Sequence, residues 1–383
     1  MSADAAILGI AECAPVRYSV NETTLSLLAN VSIAALHDAK LEREDIDALF
    51  VGVQVGETPQ HVPATVAEYL GIQPKVGSVV DLGGASAIGM AWRAAAAIQA
   101  GMCTTALCVL GNTREASPPR SPNRNPIREF DVPFGASGAN ISYAFLAARH
   151  SYEYGTTSEQ LAKALVMQRD NARAHPYAYF RDQPLTVEDV LTAPMVATPF
   201  RLYDIVMPCS GAAAFIVTSV QQARRRSAPV IRIAGAGEKV THRAMSQAPS
   251  LTSGPLKPAI AQALQQAGVG IEHMDTLSLY DCYSIMLPIT LEDAGVCGVG
   301  QGGFWLAEHN TRWEGDMPIN THGGQLSFGQ PDLAGGMSHI IETVRQLRHE
   351  AEGRQVAEAQ WALVTGNGAT LSEACAMVLQ RES

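Results

Sequence analysis

The chain has 383 residues, of which 47% are apolar and 17% charged, and a net charge of −10; this is the balance of a soluble globular protein with room for two or three domain-sized cores. The acidic balance excludes a general attraction to nucleic acid or anionic membrane, no stretch reaches the roughly 18 apolar residues of a membrane span, and the N-terminus lacks a basic-then-apolar leader, so a cytoplasmic protein is expected. The seven cysteines, at 13, 103, 108, 209, 282, 297 and 375, form no CxxC pair, which argues against both a metal site and a disulfide framework.

In chain order, Ala6–Ala11 reads as a strand, and Leu25, Leu28, Ala35 and Leu36 then mark the apolar face of a helix. Ile46–Val53 is a second strand. Val79–Leu82 is a short apolar strand that runs through a Gly-Gly turn into a small-residue helix closing at Gly101. That layout sets the turn residue beside unpaired backbone N–H groups. Here the residue is Gly84, which has no side chain. Thr105–Gly111 is a further strand. A segment of about a hundred residues, rich in Pro and Arg at first and helix-like over 158–174, separates it from the strand Ala212–Thr218; it is too long for a connector and should shape a pocket. Arg224-Arg225-Arg226 reads as a solvated helix end.

The second half of the chain repeats the first. Ala35, Leu36, Ala39, Asp47 and Leu49 recur at one constant offset as Ala263, Leu264, Ala267, Asp275 and Leu277. AILGIAE at 6–12 resembles VIRIAGA at 230–236, and ALCVLGN at 106–112 resembles ALVTGN at 362–367. Three matches in the same order predict a duplicated α/β unit packed about a pseudo-twofold axis. The expected domains are an N-terminal half at 1–114 and 201–226, an inserted loop domain at 115–200, and a C-terminal half at 227–383.

This duplicated half with a long insertion, the glycine-rich turn GGASA, NTHGG and a late GNG resembles the thiolase superfamily, and within it the sterol-carrier-protein-like thiolases, or lipid-transfer proteins. The resemblance spans nearly the whole chain. It implies an α/β fold, a five-layered αβαβα sandwich, an obligate homodimer and a tunnel for CoA thioesters; the thioester is a substrate, and no bound cofactor is implied. The family's reactive positions are all altered here. Gly84 falls where a nucleophilic cysteine opens the helix. Tyr280, in YDCY, stands at the histidine of an HDCF motif. Gln330, in GQP, stands at the histidine of a GHP motif, and Val364, in LVTGNG, at the acid/base cysteine.

Thiolysis needs one thiolate to take the acyl group and a second thiol to move a proton, and glycine and valine do neither. Donors for an oxyanion survive in Tyr280 and Gln330, and Gly84 would open space and expose helix N-terminal N–H groups. That equipment suits retro-aldol cleavage of a 3-hydroxyacyl-CoA without an acyl-enzyme. His322, in NTHGG, is the expected general base. Asn320, the turn Gly366-Asn367-Gly368, and Arg173 and His175 of the insertion are the expected contacts for thioester and CoA. Asp281, turned to the other sheet face, is expected to be structural, and Cys209 and Cys282 to be inert packing residues. Steroid side-chain aldolases of this branch also carry tyrosine at the HDCF histidine position, and such relatives imply a small partner with an OB fold and a zinc ribbon. Two alternatives stay open: an acyltransferase or thiolase subunit whose nucleophile comes from elsewhere, and an inactive homologue that binds lipid or scaffolds a partner.

Overall fold

The computed structural model describes residues 4–53, 60–116, 133, 138–226 and 229–382. The N-terminal half runs β1 (Ala5–Glu12), α1 (Thr24–Ala39), β2 (Ala48–Val51), α2 (Val62–Leu70), β3 (Val76–Val79), α3 (Ser86–Gln99) and β4 (Thr105–Asn112). The insertion supplies α4 (Ala139–Tyr154), α5 (Ser158–Arg173), α6 (Val187–Thr192) and the two short strands β5 (Met195–Ala197) and β6 (Phe200–Arg201). Most of the Pro- and Arg-rich stretch that opens it lies outside the described residues. β7 (Gly211–Ser219) and α7 (Val220–Ala223) return to the first half. The second half runs β8 (Ile231–Val240), α8 (Leu256–Ala267), β9 (Thr276–Ser278), α9 (Met286–Ala294), α10 (Gly302–Glu308), α11 (Gly324–Phe328), α12 (Gly335–Arg348), β10 (Trp361–Gly368) and β11 (Glu373–Arg381).

Among the described residues nine strands join in the order β3-β2-β4-β7-β1-β8-β11-β10-β9. The order makes the repeat visible. β2 is parallel to β4, which is antiparallel to β7, which is antiparallel to β1. β9 is likewise parallel to β10, which is antiparallel to β11, which is antiparallel to β8. The halves meet where β1 and β8 touch, at Ala6↔Arg232 and Ile7↔Ile231. A lone parallel bridge, Leu277↔Ile319, stands where β3 stands in the first half. Even the short 3₁₀ turn Arg43–Asp45 before β2 has its twin, Ile271–His273, before β9.

Helix α1 packs so tightly on β1 that a Cβ at Gly9 would fall on the Ala35 carbonyl; α8 packs on β8 in the same way, with Gly237 against Ala259 and Gly235 against Ala263. Helices α3 and α12 lie between the half-sheets in a core that includes Met90, Ala94, Met337, Ile340, Phe215 and Val364. Separate cores bind α1 and α2 to the first half-sheet and α8 to the second. These are the five expected layers.

The sequence places one strand too late. β3 ends at Val79 rather than beginning there, because Leu82 turns away from the sheet, its N–H donating to Ser86 Oγ at 2.9 Å. The expected helix over 158–174 is α5, started by Thr157 and Gln160 in a reciprocal cap.

Candidate active site

The turn Gly83–Ala85 delivers Gly84 to the start of α3 as expected, but the space beside it is occupied. A Cβ on Gly84 would fall on the hydroxyl and Cζ of Tyr280. The phenol therefore stands where a nucleophile's side chain would project. Two of the N–H groups at this helix start are already used, Ala85 N–H donating to the Leu82 carbonyl at 3.0 Å and Ser86 N–H to that of Gly83 at 3.1 Å.

Tyr280 follows β9, its own N–H donating to Thr365 Oγ1 of β10 at 3.1 Å. Its hydroxyl accepts a hydrogen bond from Gln330 Nε2 at 3.3 Å, so the two residues singled out from their motifs do meet. Both line a cavity of about 430 Å³ with Gly84, Tyr143, Cys282, Tyr283, Asp332 and Asn367. Burial pushes the Tyr280 phenol well above its usual range, against the opposing Gln330 hydrogen bond; it is a neutral donor at physiological pH. Burial likewise pushes the Cys282 thiol up to about 12 and raises that of Cys209, so neither is a ready thiolate.

The insertion closes one wall of the cavity. Asn140 and Tyr143, one turn apart on α4, reach the strand ends: Tyr283 Oη donates to Asn140 Oδ1 at 2.6 Å, and the Tyr143 and Tyr283 rings stack at 4.2 Å. Tyr143 Oη donates to the Ala369 carbonyl at 2.8 Å and accepts from Asn367 Nδ2 at 2.6 Å. The Asn367 Oδ1 has no partner, which leaves one buried acceptor at the wall. Sequence reasoning passed over Tyr143, Tyr283, Asn140 and Asp332. Asp332 had the clearest signal, two residues after Gln330.

Several expected site residues sit elsewhere. Gly366 and Gly368 are not a turn; they end β10, paired with Cys375 and Glu373 of β11. Their missing Cβ atoms admit Ala85 and the Leu82 carbonyl, which seats the start of α3. Asn320, at φ +50°, spends both ends of its amide on Leu279, accepting from its N–H at 2.7 Å and donating to its carbonyl at 2.9 Å. It fixes the strand end before Tyr280 and does not line the cavity. Arg173 is exposed at the end of α5, also off the cavity wall. The pocket-lining set thus retains Gly84, Tyr280, Gln330 and Asn367 of the expected residues.

His322 lies behind the cavity, 1% exposed, with Nε2 3.4 Å from Ser338 Oγ of α12 and Nδ1 unpartnered. The His339 ring stands 4.9 Å from it and 5.9 Å from that of Tyr280, and His322 is not among the residues that line the cavity. The reason is the Asn320 clamp, which turns the following residues inward under α12. Asp281 is fully buried and structural, accepting from Gln325 N–H at 2.8 Å and Gln168 Nε2 at 2.9 Å.

His175 is also interior, 3.3 Å from Arg345 Nη1 and 3.7 Å from Glu12 Oε1. Burial, against the pull of Glu342, brings its pKa down to about 3; burial and the neighbouring His339 bring that of His322 well below the usual range. Both stay neutral in the fold. The unfolded chain takes up protons that the folded histidines refuse, so stability should fall as pH drops from about 6.5 toward 3. His322→Gln is expected to flatten that slope in urea unfolding series while leaving the pH dependence of turnover unchanged. A lost limb in the rate profile would instead return His322 to the chemistry.

The mirrored halves, the central helix pair and the altered turn define a thiolase-fold protein. Residues 237–381 match the family model described as Thiolase C-terminal domain-like. The chain is 31% identical to a steroid side-chain-cleaving aldolase of Thermomonospora curvata over 85% of each chain. It is 30% identical to a 17-hydroxy-3-oxo-4-pregnene-20-carboxyl-CoA lyase of Mycobacterium tuberculosis over 97% of this chain and 98% of that one. It is also 30% identical to an acetyl-CoA acetyltransferase of Methanothermobacter thermautotrophicus, over 93% and 94%. A solved structure titled Ltp2-ChsH2(DUF35) aldolase superposes with a TM-score of 0.89 at 27% identity, covering 98% of this chain and 97% of that chain. The chain belongs to the thiolase superfamily, in its sterol-carrier-protein-like, lipid-transfer branch.

Proposed function

We propose that this protein binds an acyl-CoA and breaks a carbon–carbon bond of a 3-hydroxyacyl-CoA by retro-aldol chemistry, without an acyl-enzyme. The observation that carries this reading is the Tyr280 hydroxyl seated on Gly84. It removes the place for covalent attack and puts a proton donor there. In retro-aldol cleavage the 3-hydroxyl loses its proton, the C2–C3 bond breaks, and charge develops on the thioester oxygen as an enolate. Neutral Tyr280, with the Gln330 amide beside it, is the donor pair for that oxygen. The kinship with a steroid side-chain-cleaving aldolase and a pregnene-carboxyl-CoA lyase supports a steroid acyl-CoA as the substrate. The stacked Tyr143–Tyr283 pair offers a flat apolar wall to such a ring system.

Two association states belong to the same proposal. A small OB-fold and zinc-ribbon partner completes the active enzyme, supported by the two-protein title of the aldolase neighbour and by a relative described as a benzoylsuccinyl-CoA thiolase subunit. A homodimer forms along β3, the outer strand of its half-sheet, whose outer edge is unpaired among the described residues and whose Val79 is exposed. No helix among the described residues is long and apolar enough to cross a membrane.

The test is co-expression with the candidate partner and incubation with a 3-hydroxyacyl-CoA. The expected products are a ketone or aldehyde and a shortened acyl-CoA, with an unchanged intact mass for the protein. A stable acyl adduct on Cys282 or Cys209 would establish the acyltransferase alternative. Binding without cleavage, with and without the partner, would establish an inactive lipid-binding homologue.

A further inference from the structure

Retro-aldol cleavage needs a group to take the hydroxyl proton, and the expected histidine does not line the cavity. Among the described residues that line the cavity, Asp332 is the one carboxylate. The phenols of Tyr280, Tyr143 and Tyr283 and the thiol of Cys282 all share that wall, and burial raises the pKa of each, so they keep their protons at neutral pH. Asp332 opens the 3₁₀ turn Asp332–Ala334 between α11 and α12, at φ +46°, a conformation that Asp and Asn tolerate best among residues with side chains. Its side chain is 26% exposed, so it reaches the cavity and is not sealed within the fold.

Its carboxylate is held from one side. Asn112, the last residue of β4, donates to Oδ2, and Arg114 Nη1 lies 3.8 Å from the same oxygen. The Arg114 backbone is fixed beside it, its main-chain N–H donating to Ser210 Oγ at 2.8 Å. Both contacts fall on Oδ2, which leaves Oδ1 to accept a proton.

We propose that Asp332 is the general base of the cleavage, oriented by Asn112 and Arg114. This rests on the retro-aldol reading. The carboxylate takes the 3-hydroxyl proton, and the O–H electron pair becomes the new C=O bond. The C2–C3 bond breaks, its pair passing to C2 and the thioester oxygen. The carboxylic acid so formed returns the proton to C2, releasing a ketone or aldehyde and the shortened acyl-CoA. Atoms balance without an oxidant, reductant or added water. Burial raises the carboxyl from its ordinary value, opposed by Arg114 and Asn112, which brings it toward the pH at which a base works best.

The test compares wild type with Asp332→Asn, which keeps shape and tolerates the same backbone, and with Arg114→Gln, all as complexes with the partner. Asp332→Asn is expected to lose about 10²–10⁴ in kcat, to bind an acyl-CoA lacking the 3-hydroxyl as wild type does, and to lose the acid limb of its rate profile. Among the described residues, the charged or titratable groups that face Asp332 or share its cavity are Arg114, Cys209, Tyr280, Tyr143, Tyr283 and Cys282, of which only Arg114 is charged near neutrality. Arg114→Gln should therefore move the acid limb to higher pH. Wild-type cleavage with Asp332→Asn within about threefold of it would overturn the assignment and leave the retro-aldol reading standing. No cleavage by wild type would overturn both. If Asp332→Asn fails to fold, as judged by its thermal melt, the Arg114→Gln limb decides: a shift supports Asp332, and an unmoved limb overturns it.

Discussion

Gly84→Cys is expected to abolish cleavage without restoring thiolase activity. The added Cβ would coincide with the Tyr280 hydroxyl and Cζ, which are the rigid end of a buried ring and not a flexible tip. Either the phenol swings out of the cavity or α3 moves. The turn has little freedom to move, because a Cβ at Gly336 or Gly366 would already meet the Gly84 carbonyl or Ala85. Overpacking of this kind costs about 1–3 kcal/mol, and displacing an oxyanion donor costs about 10²–10³ in kcat. Tyr280→Phe should show the catalytic loss alone, since it removes the donor and keeps the ring. Gly84→Ala should match Gly84→Cys, because the first carbon makes the clash and the sulfur adds nothing. Gly84→Ala with Tyr280→Ala should relieve the clash, exchange it for the cavity left by the buried ring, and recover no turnover. Steady-state kinetics and urea unfolding of these variants separate the effects. A Gly84→Cys protein that forms an acyl-enzyme, or that cleaves substrate as wild type does, would show that the phenol is not fixed at this turn.

The fold was legible because its determinants are local and repeated. Ala35 and Ala263 recur because two helices must each approach a strand at a glycine, and the small residues of α3 mark a helix buried between two sheets. The pairing of Tyr280 with Gln330 could also be reached from their motifs, since both lie at strand and loop ends facing one crevice. What sequence did not yield were decisions made by side-chain reach across elements. His322 and Asp332 lie in neighbouring loops, and sequence singled out only His322 as a base. Which one faces the cavity depends on Asn320 spending its amide on Leu279 and on Asp332 reaching back to Asn112 and Arg114 of the first half. Likewise GNG reads as a turn by composition and is a strand end, because its glycines serve the approach of α3 rather than a change of direction.

The cavity wall is supported from behind by a buried polar network. Ser278 Oγ meets His339 Nδ1 at 2.9 Å, and Gln325 Nε2 meets His339 Nε2 at 3.2 Å. The Tyr280 ring lies against that imidazole. Such a wall excludes water and holds a neutral donor in place before substrate arrives, which is where electrostatic catalysis gains most. The network also ties α12 to the NTHGG loop, so stability and site geometry share residues.

Glu342→Ala should be the most destabilising single change in this network. The carboxylate is 2% exposed and takes Arg354 Nε at 2.9 Å and Nη2 at 2.7 Å, Thr321 Oγ1 at 2.6 Å and Gln346 Nε2 at 3.1 Å. Its loss leaves the buried guanidinium of Arg354 without a counter-charge, a loss of about 3–5 kcal/mol when one partner of a buried pair is removed. Thr321 follows Asn320, so the loosened loop should also release the clamp on Leu279 and lower turnover below the melting range. Burial alone would raise the Glu342 carboxyl; Arg354 outweighs it and holds the group well below the ordinary 4.5. A depressed acid contributes stability that is present above its unfolded pKa and lost as pH falls toward the folded one. Wild type should therefore lose stability steeply on acidification below about 4.5, and Glu342→Gln, less stable at neutral pH, should show a shallower slope there. Urea midpoints measured across that range give the comparison, and parallel slopes for the two proteins would place the acid sensitivity on other carboxylates.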